Sequence, residues 1–331
     1  MKNALLSGIT GQDGAYLAKL LLEKGYSVYG AVRDGINPHS SNLNFLGIAR
    51  DVELISANLQ DLSNVIRLVE RVKPDEIYNL ASQSSVGLSF EQPIGTVEFN
   101  VLSTMNFLET IRILSTEVKF YQASSSEMFG KAPKLPVTEL TMVHPVSPYA
   151  ISKASAHWLA VNYREAYGLF TCCGILFNHE SVLRGKQFVT KKVISTAVRI
   201  SRGSKQKLTL GNINIQRDWG YAPAYVETMW KMLQQEQPDD YIIATGEAHS
   251  LREFVNEAFK SLDLNWENYV IVDKDLYRLS DIESIYGDAS KARARLGWNY
   301  HMSFQDLVHL LVDEEQKLAE TIASSGDSKK G

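Results

Sequence analysis

Four side chains in two short stretches carry the groups that acid–base chemistry needs. An apolar run ending at Tyr121 leads through Gln122-Ala123 into Ser124-Ser125-Ser126-Glu127, and further on Pro148-Tyr149-Ala150-Ile151-Ser152-Lys153 opens a helical pattern. Positions two apart on an extended segment share a face, so Ser125 and Glu127 are expected to point the same way as their strand ends. Positions four apart stack along one side of a helix, so Tyr149 and Lys153 share a face as well. Where the two faces meet, a hydroxyl, a carboxylate, a phenol and an ammonium converge. A lysine beside a tyrosine favours phenolate and lowers the phenol's pKa, which lets it serve as a base near neutral pH. Tyr-x-x-x-Lys also arises on ordinary amphipathic helices, where the tyrosine packs and the lysine snorkels. The beginning of the chain tips the balance towards chemistry.

There, the short apolar strand Ala4-Leu5-Leu6 runs into a turn with glycines at Gly8, Gly11 and Gly14, and a helical pattern follows to Gly25. Strand, glycine turn and helix form a dinucleotide cradle. Glycines let the backbone approach a pyrophosphate, and the helix start offers free N–H groups, so Thr10, Gln12 and Asp13 lie in it too. The spacing is G-x-x-G-x-x-G, not the G-x-G-x-x-G of the common fingerprint. The second strand, residues 28–32, ends in Arg33-Asp34. NAD-binding units place a carboxylate at that strand's end. Its absence and Arg33 favour the 2′-phosphate of NADP, while Asp34 keeps NAD open.

Strands at 52–56 and 76–81 and a helix over 96–114 continue the alternation, which calls for a Rossmann-type doubly wound parallel sheet. Ligands on such sheets sit at the carboxyl ends of the strands, where residues 8–14, 80–85 and 124–127 all fall. The expected division is a dinucleotide-binding domain over 1–177, rejoined by about 215–245. A smaller C-terminal α/β lobe takes 178–214 and 246–318, and 319–331 is a flexible tail.

The 331 residues, 44% hydrophobic and 22% charged with a net charge of −4, describe a soluble globular chain without a basic stripe. Nucleic acid is therefore excluded as an expected partner. Cys172 and Cys173, the only cysteines, sit in an apolar run and read as buried strand thiols in a reducing compartment. The start lacks the features of a leader, and no apolar run reaches the ~20 residues that span a bilayer, so a cytoplasmic enzyme without membrane partners is expected. In the second half, Arg184, Arg217 and Arg278 suit a second pyrophosphate, because a guanidinium bonds phosphate oxygens in pairs. His179-Glu180 has no further histidine at ligand spacing, so no metal is expected.

The chain resembles the GDP-mannose 4,6-dehydratase family of the extended short-chain dehydrogenase/reductase superfamily. The resemblance rests on Gly8-Ile9-Thr10-Gly11-Gln12-Asp13-Gly14, Ser126-Glu127-Met128-Phe129-Gly130, Ser147-Pro148-Tyr149, Asn178-His179-Glu180-Ser181 and Arg217-Asp218-Trp219-Gly220. It implies a lyase that binds NADP and a GDP-sugar and assembles as a dimer or tetramer. Asn58, Leu59, Leu80, Ala81 and Ser82 would join the glycine turn, Arg33, Tyr149 and Lys153 around the cofactor. Ser84, Asn178, Glu180, Arg184, Val189, Lys192, Arg217, Arg278 and Asp281 would hold the substrate. It further implies that Tyr149 takes the C4 hydroxyl proton, Lys153 keeps the phenol acidic, Ser125 bonds O4, and Glu127 moves the C5 proton and expels the C6 hydroxyl. This sequence departs from the family with Ser125 for threonine, Asn58 for aspartate and Asp281 for glutamate. A related epimerase or decarboxylase, and a cofactor-binding protein without turnover, are the alternatives; Glu127 and the intact quartet argue for dehydration.

Overall fold

The computed structural model describes residues 1–33, 42–115 and 117–327; Asp34, weighed above for cofactor choice, lies outside them. The first half alternates strand and helix. Its strands are β1 (Asn3–Ser7), β2 (Ser27–Val32), β3 (Val52–Ser56), β4 (Glu76–Asn79), β5 (Lys119–Ser125) and β6 (Thr171–Leu176). Its helices are α1 (Gln12–Glu23), α2 (Asn42–Phe45), α3 (Leu62–Val72), α4 (Val86–Glu91), α5 (Pro93–Leu114) and α6 (Pro148–Tyr167). Shorter strands follow: β7 (Asn178–Glu180), β8 (Leu208–Leu210), β9 (Gln216–Arg217), β10 (Trp219–Tyr221), β11 (Asp240–Ile243), β12 (His249–Ser250), β13 (Val270–Val272) and β14 (Ser284–Ile285). Between and after them lie α7 (Val189–Ser201), α8 (Ala222–Leu233), α9 (Leu251–Lys260), α10 (Ser290–Leu296) and α11 (Phe304–Asp327).

The expected doubly wound sheet is present. Seven strands run in the order β3-β2-β1-β4-β5-β6-β11, and every pairing is parallel. Such a sheet is covered on both faces, so its strands need apolar side chains throughout. All six residues of β6 are buried, including the free thiols of Cys172 and Cys173. One face is sealed by α1 and α8 through Leu17, Leu21, Val226 and Met229. The other is sealed by α3, α5 and α6 through Val65, Leu68, Phe107, Ile111 and Ala160. A third cluster, with Ile194, Trp219, Phe254, Phe259 and Leu307, packs α7, α9 and α11 together beside the sheet.

The two long helices that frame the site start on proline. In the first turn the missing N–H of proline would have had no partner anyway, which is why α5 begins at Pro93 and not near 96. In α6, Pro148 follows Ser147, whose side chain accepts from the Ala150 N–H, and the helix ends on Gly168 at φ 70°. Near that end Arg164 makes a bidentate pair with Asp240 of β11, at 2.8 and 2.7 Å, and Asp240 also accepts from the Cys173 N–H at 3.1 Å.

The stretch 319–331, expected as a flexible tail, is helical as far as Asp327. The early turns of α11 are docked through Leu307, Val308, Leu311 and Val312. Once a helix is nucleated, each added residue costs little, so it runs on into a segment that composition alone marks as a tail. Glu320 there pairs with Arg202 at 3.3 Å. No helix among the described residues is long and apolar enough to cross a membrane.

Candidate active site

A cleft of about 1180 Å³ opens at the carboxyl ends of β1, β4 and β5 and extends to α7 and the loop around 276–281. That exceeds the ~300–1,000 Å³ of an ordinary small-molecule pocket, which leaves room for two ligands side by side. Every candidate residue drawn from the sequence lines it, from Gly8 to Asp281.

One wall is the glycine turn. Gly8 sits at φ +71°, and a Cβ on it would lie 2.8 Å from the Ala81 nitrogen; a Cβ on Gly14 would lie 2.3 Å from the Gly8 carbonyl oxygen. Any side chain would pry the turn away from β4 or from α1. Gly11 caps α1 without a side chain, so the first N–H groups of that helix are left for a ligand anion. The Ser7 hydroxyl beneath donates to Asn79 Oδ1 at 2.7 Å and accepts the Leu80 and Ala81 N–H groups at 3.0 Å each. Leu80, Ala81 and Ser82 are thereby held against the turn. Asn58 and Leu59 follow β3, with the Leu59 carbonyl accepting from Asn106 at 2.9 Å, and Arg33 is exposed at the end of β2. This cradle fits a dinucleotide: it is closed to side chains, presents helix N–H groups and ends in a cation.

Ser125 and Glu127 both face the cleft, but not by strand alternation. Ser125 is the last residue of β5 and caps a 3₁₀ turn, Ser126–Phe129, that contains Glu127; its Oγ accepts the Glu127 N–H at 3.3 Å. A tight turn, not a pleat, brings the two together. Opposite them, Tyr149 and Lys153 share the inner face of α6 as their spacing requires, with the Ser125 hydroxyl near enough to the Tyr149 phenol to favour its ionisation.

The electrostatics differ from the sequence expectation. Tyr149 is not made acidic by Lys153. Burial pushes its phenol up to about 12, the Ser125 hydroxyl opposes this, the Glu127 charge adds to it, and the Arg184 charge opposes. Lys153 is buried too and is brought down to about 8. Its Nζ donates to the Ala123 carbonyl at 2.8 Å and lies 5.9 Å from the Tyr149 ring centroid. Desolvation acts against charge on both groups and is the largest influence on each.

The far wall comes from the second half of the chain. Asn178 and Glu180 lie on β7, which pairs with β10. The cations arrive already engaged. Arg184 faces Glu180 at 3.2 Å, and Arg217 faces Asp281 at 3.2 Å and Glu127 at 3.8 Å. Arg278 meets Asp281 at 3.6 Å, and Lys192 donates to the Thr209 carbonyl at 2.7 Å. Ser84 and Val189 stand at the rim, in the loop after β4 and at the start of α7.

Two residues that sequence reasoning missed hold the site together. Asn100 of α5 donates to the Ser152 hydroxyl of α6 at 2.9 Å and exchanges hydrogen bonds with the Gln83 backbone, so the loop after β4 is tied to the helix of Tyr149. His179 contacts Asp13 across the cleft floor at 2.9 Å. A polar residue inside the apolar pattern of α5 was the only signal for Asn100. His179 stands beside Glu180 and reads from sequence only as a metal ligand to be set aside; its partner Asp13 is 166 residues away in sequence.

Comparison with known proteins agrees with this geometry. The profile of the GDP-mannose 4,6 dehydratase family matches residues 5–311. GDP-mannose 4,6 dehydratase 2 of Arabidopsis thaliana is 48% identical, covering 96% of this chain and 88% of that protein. GDP-mannose 4,6-dehydratase of Vibrio cholerae is 40% identical, covering 96% and 95%. Among solved structures, UDP-glucose 4-epimerase of Thermus thermophilus in complex with NAD superposes with a TM-score of 0.82 at 26% identity, covering 95% and 99%. With the glycine cradle, the Ser125–Glu127 turn and the Tyr149–Lys153 helix face all in one cleft, the chain belongs to the GDP-mannose 4,6-dehydratase family.

Proposed function

We propose that this protein is a carbon–oxygen lyase that converts GDP-mannose to GDP-4-keto-6-deoxy-mannose and water, with NADP retained through turnover. The observation that carries the reading is the pairing of Glu127 with Tyr149 in one cleft beside the glycine cradle. An epimerase of similar fold needs the phenol; loss of water also needs a carboxylate for the C5 proton, and Glu127 supplies it.

The nicotinamide, when bound, supplies the hydride acceptor at C4 and the donor at C6. The chain's own residues move the protons. Tyr149 accepts the C4 hydroxyl proton as a phenolate; with its value at about 12 the phenol must first give up its own proton, and Ser125 and the Arg184 charge are the two influences that ease that loss. Ser125 also bonds the sugar O4 as charge develops there. The ketone at C4 acidifies C5; Glu127 takes that proton and delivers it to the departing C6 hydroxyl as water, and a proton from solvent returns to C5 when C6 is reduced. Arg217, 3.8 Å from Glu127, keeps the carboxylate aimed. The segments 178–214 and 246–318 form the sugar-nucleotide lobe, in which Arg184, Arg217, Arg278 and Lys192 meet the diphosphate by exchanging their present partners. Arg33 selects the 2′-phosphate of NADP. Exposed Leu102, Met105, Ile113, Ile151 and Trp158 on α5 and α6 support a homo-oligomer joined through these helices. The buried free thiols suit the cytoplasm.

Deuterium placed at C4 of GDP-mannose is expected to reappear at C6 of the same product molecule. Glu127→Gln should slow water release by roughly 10²-fold or more while hydride exchange at C4 persists, since acid–base groups of this kind contribute about 10²–10⁴-fold. Dehydration by that variant at the parent rate would sink the proposal.

Lys153 gives a stability prediction. Its folded value of about 8 lies below its ordinary 10.5, so between these pH values the unfolded chain binds more protons and stability rises with pH. The gain is on the order of 3 kcal/mol at most, at about 1.36 kcal/mol per unit. In urea unfolding of the cofactor-free protein between pH 8 and 10, Lys153→Met should flatten this rise; parallel curves would contradict it.

Arg33→Ala should weaken NADP binding about tenfold and leave NAD unchanged in equilibrium titrations, and equal losses for both would remove Arg33 from cofactor choice. Trp158→Glu should shift the assembly towards monomer in sedimentation, whereas an unchanged mass would place the interface elsewhere.

A further inference from the structure

His179 has no role in the chemistry above, yet it is buried on β7 with its ring enclosed by three elements. Its Nδ1 is 2.7 Å from the Phe177 carbonyl oxygen, and its Nε2 is 2.9 Å from Asp13 Oδ2 in the first turn of α1. A carbonyl can only accept. Burial alone pushes the Asp13 carboxyl up, but the His179 charge and hydrogen bond, with help from Gln12 and Arg184, bring it down to about 2. The other carboxylate oxygen, Oδ1, accepts from the Gln12 amide at 3.0 Å, so both Asp13 oxygens stand as acceptors. Both ring nitrogens face acceptors, so both must carry a proton.

The remaining neighbours are consistent with a cation. Tyr225 of α8 stacks on the ring with centroids 4.7 Å apart and planes at 19°. β10 places the uncharged Gly220 opposite. Arg184 beyond β7 opposes the charge. Glu180, next on the strand, is turned towards Thr190 at 2.7 Å and Arg184 at 3.2 Å. Gln12 completes the connection: its amide donates to the His179 carbonyl at 3.1 Å and to Asp13 at 3.0 Å, and accepts from the Ser181 hydroxyl at 2.9 Å.

We propose that His179 is a positioning residue that works as an imidazolium, locking Asp13, and with it the glycine turn, to the strand that presents Asn178 and Glu180. Given the proposed function, the lock joins the cofactor half of the cleft to the substrate half through one charged hydrogen bond. A direct role in proton transfer is not part of it, since both ring protons are committed.

Titration follows from the same contacts. Burial lowers the His179 value, while the Asp13 charge and hydrogen bond raise it, and the net shift is upward from 6.5. A raised folded value means that the lock is complete below 6.5 and is lost as pH climbs through the folded value.

The test uses the full chain with NADP and ¹⁵N-labelled histidine. At pH 6.5 both His179 nitrogens should resonate predominantly as protonated imidazole, the signal being assigned by its loss in His179→Gln. In Asp13→Asn the same ring should become neutral at that pH. Each single variant should raise the NADP dissociation constant about tenfold, and the double variant should be no worse than either. Finding one protonated and one bare nitrogen at pH 6.5 in the parent protein, or additive losses in the double variant, would overturn the proposal. The nitrogen spectrum requires no turnover, so its outcome stands apart from whether GDP-mannose is the substrate.

Discussion

The Ser7 hydroxyl, wholly buried where β1 stops, fixes everything at that end of the sheet. One oxygen takes part in three hydrogen bonds, giving its proton to Asn79 and accepting the N–H groups of Leu80 and Ala81. A buried polar group left without its partner costs about 1–3 kcal/mol, so none of these atoms can leave alone. Asn79 carries the connection on to Gln122 at 2.9 Å and Thr104 at 3.0 Å. The ends of β1, β4 and β5 are thereby held together. The glycine turn, the wall at 80–82 and the Ser125 turn grow from those three ends, and their relative placement is inherited from the polar row beneath them.

Above that row, the charges are shared. Arg217 is buried and divided between Asp281 and Glu127, while Arg278 leans on the same Asp281. A guanidinium removed from water needs such partners, and a site built this way is oriented before any ligand arrives. On the proposed function, a diphosphate entering here would exchange one anion for another without disturbing the scaffold. It would also draw on the guanidinium that faces the Glu127 carboxylate, so in that reading binding and proton transfer meet at a single side chain.

The alternation of strand and helix made the parallel sheet legible, because it rests on local periodicity. The glycine turn and the Tyr149–Lys153 spacing were legible for the same reason: each is a contiguous pattern whose geometry is local. Ser84, Val189 and Lys192 came from family resemblance alone, since nothing in their neighbourhood announces a cleft. What stayed hidden depends on distant parts of the chain. The high phenol value of Tyr149 follows from burial under elements that the sequence does not place, and Lys153 bonds a carbonyl on β5 that spacing cannot reveal. Asn100 acquires meaning only when Gln83 and Ser152 close around it, and His179 only beside Asp13. Docking by the first turns of α11 likewise decides the fate of a stretch whose composition suggests a tail.

The bidentate pair between Arg164 and Asp240 bears on the order in which the molecule is made. β6 lies between β5 and β11, and all six of its side chains are buried. On the ribosome, β6 is finished long before Asp240 and β11 exist. Until then its outer edge has no strand to pair with, its apolar face lacks α8, and Arg164 has no carboxylate to grip. Open edges of this kind are where incomplete chains stick to one another. The helix that carries Tyr149 and Lys153 is thus anchored by a strand synthesised well after it, and the half of the protein made first is completed by a piece made later.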